Sequence, residues 1–295
     1  MAKFKLHYDK AVEVSKIAVG MLERKVFPFD KTDVLPDAIL PPDIEPKSQE
    51  HALFLFYGCS LDSMRRAEDV YNFMGVLAQR IDLRDLYAQS LESLKRLLKP
   101  FVDKTSNLGK PAKTLHNNSM RLFKEYGNDP RNLKRDTIDA TLDEMTGKEK
   151  GKRRFTQIGL GKASLLMKNY VRFGIWDFSE YEIPIKIDRH VMRISMATGI
   201  LEAEEELRTD KVVRPLSNFF RTVTTEEQIS AIKLDDAMWG IGSKLCLPND
   251  QIYCGEYCEL SCKTRPKARK KTAYFHPGKE MRKNVGQQTL FPVFR

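Results

Sequence analysis

Two polar residues stand where a helix start would aim them at chemistry. Lys162 follows the glycine turn Gly159-Leu160-Gly161, and Asp188 directly precedes RHVMRISMATG. The turn is too short and glycine-rich to be helical. From Lys162 to Phe173 a helical pattern takes over, with Ala163, Leu166, Met167, Tyr170 and Val171 recurring every three or four residues. An ammonium at Lys162 would lie near the positive end of that helix dipole. This position disfavours the charged form and lowers the pKa, as a nucleophilic amine needs. Glycines at 159 and 161 leave backbone N–H groups open to a phosphate. Asp188 occupies an N-cap position. Together they read as base and partner in an amine-based mechanism; the plainer readings are a phosphate-contacting lysine and a simple cap.

A second chemical grouping follows downstream. Cys246, Cys254, Cys258 and Cys262 are spaced C-x7-C-x3-C-x3-C. The N-terminal MAKFKLHYDKAVEV has no apolar export region, which predicts a cytoplasmic protein. Two disulfides so close together are unusual there, so the spacing predicts a metal centre. Four thiolates suit tetrahedral zinc or a [4Fe-4S] cluster. Cys59, inside the apolar run HALFLFYGC, reads as a small core residue.

The elements that must position these residues are mainly helical. An amphipathic helix is predicted over residues 4–25, then a proline-rich connector over 27–48. HALFLFYGC reads as a buried helix and MRRAEDVYNFMGVLAQR as its continuation. LRDLYAQSLESLKRLLKPF reads as one helix broken by Pro100, and Asn107–Pro111 as a turn before KTLHNNSMRLFKEYG, which Gly127 ends. ATLDEMTGKEKGKRRF begins as helix and becomes a polar loop. EIPIKI is an isolated strand candidate. AEEELRT reads as continuing helix, and TTEEQISAIKLDDAMWGIGSKLC as a helix with a capping-box-like start at Thr225–Gln228. No apolar run approaches a membrane-spanning length, so no membrane association is predicted.

The net charge of +10 is unevenly placed. Residues 263–295 carry ten Lys or Arg against one acid, leaving about +1 for residues 1–262. Such a basic arm binds nucleic acid through phosphates in a salt-sensitive way, or is merely solvated. Lys148, Lys150, Lys152, Arg153 and Arg154 add a basic loop beside the glycine turn.

Some of these segments carry a resemblance. IGLGKASLLMKNY resembles the helix-hairpin-helix of DNA glycosylases related to endonuclease III, and IKIDRHVMRIS resembles that superfamily's aspartate segment. The usual hairpin, L-P-G-V-G-x-K, has one residue between the second glycine and the lysine; here Lys162 follows Gly161 directly. EIPIKIDRHV and HALFLFYGCSLD are similar to archaeal 8-oxoguanine glycosylases. The resemblance implies a fold of two helical subdomains with the hairpin at 155–174 and a four-cysteine cluster loop. It implies a [4Fe-4S] cluster on Cys246, Cys254, Cys258 and Cys262, although the family's usual spacing is C-x6-C-x2-C-x5-C. It also implies base flipping, with Lys162 attacking the sugar C1′ to form a Schiff base and Asp188 stabilising the oxocarbenium ion. Cys59 and Ser60 become base-pocket candidates, and Trp176, Phe178 and Tyr181 are possible stacking residues or core.

The final VGQQTLFPVFR resembles the clamp-binding peptide of replication proteins. Gln287, Leu290, Val293 and Phe294 match Q-x-x-[LIM]-x-x-a-a, with valine in place of the first aromatic. The domain organisation expected is an N-terminal helix and connector (1–49), a helical core (50–245), the cysteine loop (246–262), a basic linker (263–286) and the terminal peptide (287–295). The expected function is base-excision glycosylase with AP lyase activity, acting on an oxidised base, first of all 8-oxoguanine, as a monomer on duplex DNA in the nucleoid. The alternative is a monofunctional or non-catalytic DNA-binding protein tethered to the clamp.

Overall fold

The computed structural model describes residues 4–30, 37, 40–62, 67–99, 109–149, 151–203, 209–246, 257–260 and 262. At its centre is α2 (Gln49–Leu61), whose residues 51–61 are all buried. A helix apolar on every side must be enclosed, and HALFLFYGC is such a sequence. The Ser48 side chain accepts the His51 N–H and fixes where α2 begins. Around it lie α3 (Ala67–Arg80), a 3-10 turn (Leu83–Ala88), α5 (Gly109–Tyr126) and α7 (Leu160–Arg172), with α4 (Leu91–Leu98) on α5 and α6 (Ile138–Thr146) on α7. The Tyr170 hydroxyl donates to Ala52 O at 2.7 Å and ties α7 to α2.

A second group of helices forms from the two ends of the chain. α1 (Tyr8–Glu23) packs against α8 (Arg189–Thr198), α9 (Thr209–Glu226) and α10 (Ala231–Gly240). β1 (Phe4–Leu6) pairs antiparallel with β4 (Leu201–Ala203), Phe4 opposite Ala203. α7 touches α2 of the first group and α10 of the second. It therefore lies at the junction, and one continuous apolar core runs through both groups. The class is mainly α. Among the described residues no helix is long and apolar enough to cross a membrane.

Several boundaries differ from the sequence reading, each for a local reason. Residues 4–6 leave the first helix because β4 supplies a strand partner, and residues 201–203 are that strand rather than helix. The expected helix over 83–98 is two elements, because Asp82 caps the 3-10 turn and Ser90 caps α4. Gly109, Lys110 and Pro111 form the first turn of α5 instead of a separate turn. The polar loop after α6 folds into a small hairpin, β2 (Lys148–Glu149) with β3 (Lys152–Arg153), turning at Gly151 with φ +78°. EIPIKI, a strand candidate in the sequence, is not a strand: it opens in a turn and bend and joins no ladder among the described residues. Thr225 and Glu226 end α9, and the next helix begins only at Ala231, capped by the Ser230 hydroxyl.

Candidate active site

The helix starts earlier than the sequence reading placed it: Leu160 and Gly161, read as part of a non-helical turn, are the first residues of α7, and only Gly159 stays outside it as the N-cap. Gly159 is the N-cap of α7 and supplies no side-chain cap, so the helix starts with backbone N–H groups and no competing side chain. Gly159 is extended (φ −119°, ψ −176°), so its glycine is a matter of space, not of backbone conformation. A Cβ there would lie 2.7 Å from an Arg153 guanidinium nitrogen. Arg153 is exposed and leans over the turn. Arg154 is committed elsewhere, paired with Glu144 and within 3.4 Å of the Tyr126 hydroxyl. The backbone of Lys152 belongs to β3.

Asp188 is the cap of α8. Its Oδ1 accepts the N–H groups of His190 at 2.7 Å and Val191 at 3.1 Å. The two halves of the site meet through Gly161. A Cβ on that residue would stand 3.9 Å from both Ile187 O and the Lys186 Cγ. The second hairpin glycine thus abuts the backbone that delivers Asp188.

Lys162 is half-buried, and its Nζ donates to Ser60 O at 2.7 Å, at the end of α2. Its own carbonyl accepts a contact from the Cys59 thiol at 3.0 Å. Burial pushes its pKa below that of an ordinary lysine, the nearby Cys59 and Asp62 only partly opposing this. Burial likewise pushes the Cys59 thiol up to about 12, which makes it an inert neighbour. Cys59 and Ser60 are therefore beside the hairpin lysine.

A small cavity opens at the junction of the two helical groups. Its volume is about 40 Å3, and Asp188 and Lys186 lie on its wall with Asp62 and Lys168. Asp37, Asp235 and Asp236 complete its charged lining, and Tyr71 and Trp239 are its aromatic members. That volume holds a few waters and is too small for a nucleobase without rearrangement of its lining. Lys162 is not among the lining residues.

The cavity has two electrostatic ends. At one, Lys168 is enclosed by Asp235 at 2.8 Å, Asp236 at 3.0 Å and Asp37 at 3.1 Å, with Arg172 also bound to Asp236. Burial works to deprotonate Lys168, but the three carboxylates outweigh it and raise its pKa. Burial alone would raise the Asp37 carboxyl, yet Lys168 and Arg172 hold it below its usual value. At the other end Lys186 Nζ meets Asp62 at 2.8 Å. Its backbone N–H is fixed by Asp235 Oδ1 at 2.7 Å.

Sequence reading missed Lys168, Lys186, Asp235, Asp236, Tyr71 and Trp239. The signal for some was present: Asp235, Asp236 and Trp239 recur within one helical turn in LDDAMWG. Trp176 is core, 2% exposed and edge-on to Tyr170, and its indole N–H donates to Arg131 O at 3.3 Å. Phe178 packs on Trp176 and beneath Lys134. Neither these two nor Tyr181 lines the cavity.

Of the cysteine group, Cys246 is buried after the π-helical turn Ile241–Leu245, Cys258 packs against the core and Cys262 is exposed. Cys254 lies outside the described residues, as do Lys150 and the whole of 263–295, including Gln287, Leu290, Val293 and Phe294. Among the described residues no three His, Cys, Asp or Glu side chains converge as a metal site. The donor set itself, four cysteines within seventeen residues beginning at the core's edge, has the chemistry of a cluster loop.

The class of fold these elements define is found in solved structures. The chain is similar to a trapped endonuclease III–DNA covalent intermediate, an estranged-adenine complex, with a TM-score of 0.54 at 16% sequence identity. It is equally similar to a non-covalent endonuclease III–DNA complex, again with TM-score 0.54 and 16% identity. In each case the match covers 86% of this chain and 95% of the other. The fold is thus that of endonuclease III. No protein-family model matches the sequence, and no curated protein does.

Proposed function

We propose that this protein is a DNA base-excision glycosylase with an associated AP lyase activity, and that it removes an oxidised base, 8-oxoguanine first. One observation carries the reading: in an endonuclease III fold, a Cβ on the hairpin's second glycine would stand 3.9 Å from Ile187 O, so the start of α7 lies close to the segment that leads into Asp188. Base excision is supported by the solved neighbours, which are DNA complexes, one of them a covalent intermediate.

In this reading the uncapped start of α7, with Gly159, Gly161 and Arg153, grips a duplex phosphate; Lys152 is a further candidate contact by its place in the sequence, and Arg154 would have to give up Glu144 to join them. The damaged nucleotide leaves the stack and enters the cavity beside Trp239. Lys162, whose pKa burial lowers, attacks C1′ as the neutral amine and displaces the base to give a Schiff base that permits β-elimination. Asp188 stabilises the oxocarbenium charge. Cys246, Cys254, Cys258 and Cys262 would hold a [4Fe-4S] cluster, zinc being the other metal that suits four thiolates, and the loop so held would help form the DNA-binding face. The 263–286 arm and the terminal Gln287, Leu290, Val293 and Phe294 would tether the monomer to a sliding clamp. The enzyme would act in the cytoplasmic nucleoid.

A second reading is a monofunctional glycosylase or a DNA-binding adaptor. It is favoured by Lys162 being tied to Ser60 O and absent from the cavity wall. Borohydride trapping separates the two. Duplexes carrying 8-oxoguanine or an abasic site are mixed with the protein and reduced. A covalent adduct that disappears in Lys162→Ala supports the lyase. Tight DNA binding with no adduct on either duplex sinks it.

A further inference from the structure

Two lysines line the cavity, and their charges are not equally available. Lys168 is matched by three carboxylates within 3.1 Å and neutralised. Lys186 has one ion-pair partner among the described residues, Asp62 at 2.8 Å, and stands two residues before Asp188 on the same wall. Its position is built rather than incidental. Asp235 holds its backbone N–H, and its Cγ lies 3.9 Å from where a Cβ on Gly161 would stand. The groups facing it are Asp62 and Cys59 from α2, Lys162 from α7, and Asp188 from the start of α8. Burial works to strip its proton, and Asp62 and Asp188 more than compensate, so the group stays an ammonium. A permanently charged amine is a poor nucleophile and a good electrostatic donor.

We infer that Lys186 stabilises the leaving base: its ammonium donates a hydrogen bond to the base as the glycosidic bond breaks and negative charge gathers on it. The inference rests on the glycosylase reading above. The division of labour follows from charge. Asp188 faces the sugar, which becomes positive. Lys186 faces the base, which becomes negative. Placing the two opposite signs two residues apart in the segment that leads into α8 gives each a different part of the same nucleotide. In the bond-breaking step the Lys162 lone pair bonds to C1′, the C1′–N pair departs with the base, and Lys186 keeps its proton while bonding to that nitrogen heterocycle. No further reactant is needed.

This role separates two reactions that a merely structural lysine would lose together. An abasic site has no base to expel, so adduct formation there does not need Lys186. The probes are duplexes carrying an abasic site and duplexes carrying 8-oxoguanine, thymine glycol or uracil, with full-length protein. For Lys186→Met, single-turnover excision of whichever base the wild type removes should fall on the order of 10²–10³-fold. Borohydride trapping on abasic DNA should stay within about threefold of wild type, which also shows that the variant is folded. Lys186→Arg, which keeps the charge, should recover a large part of the excision rate.

Three results overturn the inference. Equal loss of both reactions in Lys186→Met with normal thermal unfolding makes Lys186 the attacking amine. Unchanged excision makes it a bystander. Loss of both with lowered unfolding temperature, together with no rescue by arginine, makes it structural. Failure of the underlying reading looks different: the wild type itself neither traps abasic DNA nor releases any base.

Discussion

Lys162 and Lys168 belong to one helix, six residues apart, and the fold has given them opposite characters. Both are withdrawn from solvent. Lys168 gained three carboxylates, from the connector and from α10, and its proton is held more firmly than in water. The Lys162 ammonium donates to a backbone carbonyl, that of Ser60, while the Cys59 thiol meets the Lys162 carbonyl, and burial leaves its proton held less firmly. Burial acts on both in the same direction, so the negative partners decide the outcome. One helix therefore carries a lysine locked by carboxylates at its middle and, at its start, a lysine whose pKa is lowered, the one proposed as the attacking amine.

The reactive end should show the strongest loss. If Lys162 is the nucleophile proposed above, Lys162→Ala should reduce adduct formation on abasic DNA by about 10³-fold or more. Asp188→Asn keeps a side chain able to cap α8 and should slow the same reaction by about 10²–10³-fold with little change in unfolding. An equal drop in stability for Asp188→Asn would show that the residue is only a cap.

The anchor should fail in stability instead of rate. Lys168→Met leaves Asp37, Asp235 and Asp236 buried without their common cation, and breaking such a group costs about 3–5 kcal/mol. Urea unfolding measures this, and a loss under about 1 kcal/mol would mean that the carboxylates protonate or hydrate cheaply. Adduct formation by the surviving folded fraction should be nearly normal.

The contrast also has a pH signature. Only the neutral amine attacks, and burial places the Lys162 pKa below the ordinary lysine value. The trapping rate on abasic DNA should therefore rise with pH and level off before a free lysine would. A rise that continues to the ordinary lysine range would show that Lys162 is solvated when DNA is bound.

The unequal visibility of the two lysines in the sequence has a physical cause. Lys162 was legible because a glycine turn and a helix start are local signals, and Asp188 because an N-cap is one too. The buried α2 was legible from composition alone. Lys168 was hidden because its meaning lies in partners 67 and 68 residues downstream, Asp235 and Asp236, and in Asp37 far upstream. Lys186 was hidden within a run read as a strand, and only the approach of Gly161 and Asp62 gives it a place. Helix boundaries failed where a single polar side chain outweighed periodicity, as at Ser90 and Ser230.

Ser230 gives the mildest change and the finest test. Its hydroxyl accepts the Lys233 N–H at 3.3 Å and lies 2.5 Å from Glu180 Oε2, so it fixes the start of α10. α10 carries both of the carboxylates nearest to Lys168, whereas the Lys162 ammonium is held at the end of α2, on Ser60 O. Ser230→Ala should cost about 1 kcal/mol, the usual value of an N-cap, and lower the unfolding midpoint accordingly. Because the loosened helix holds the anchor and not the amine, trapping on abasic DNA should be unaffected at temperatures where the variant is folded. If trapping falls in step with stability, the two ends of α7 are mechanically coupled, and the separation of anchor from amine is not as complete as their charges suggest.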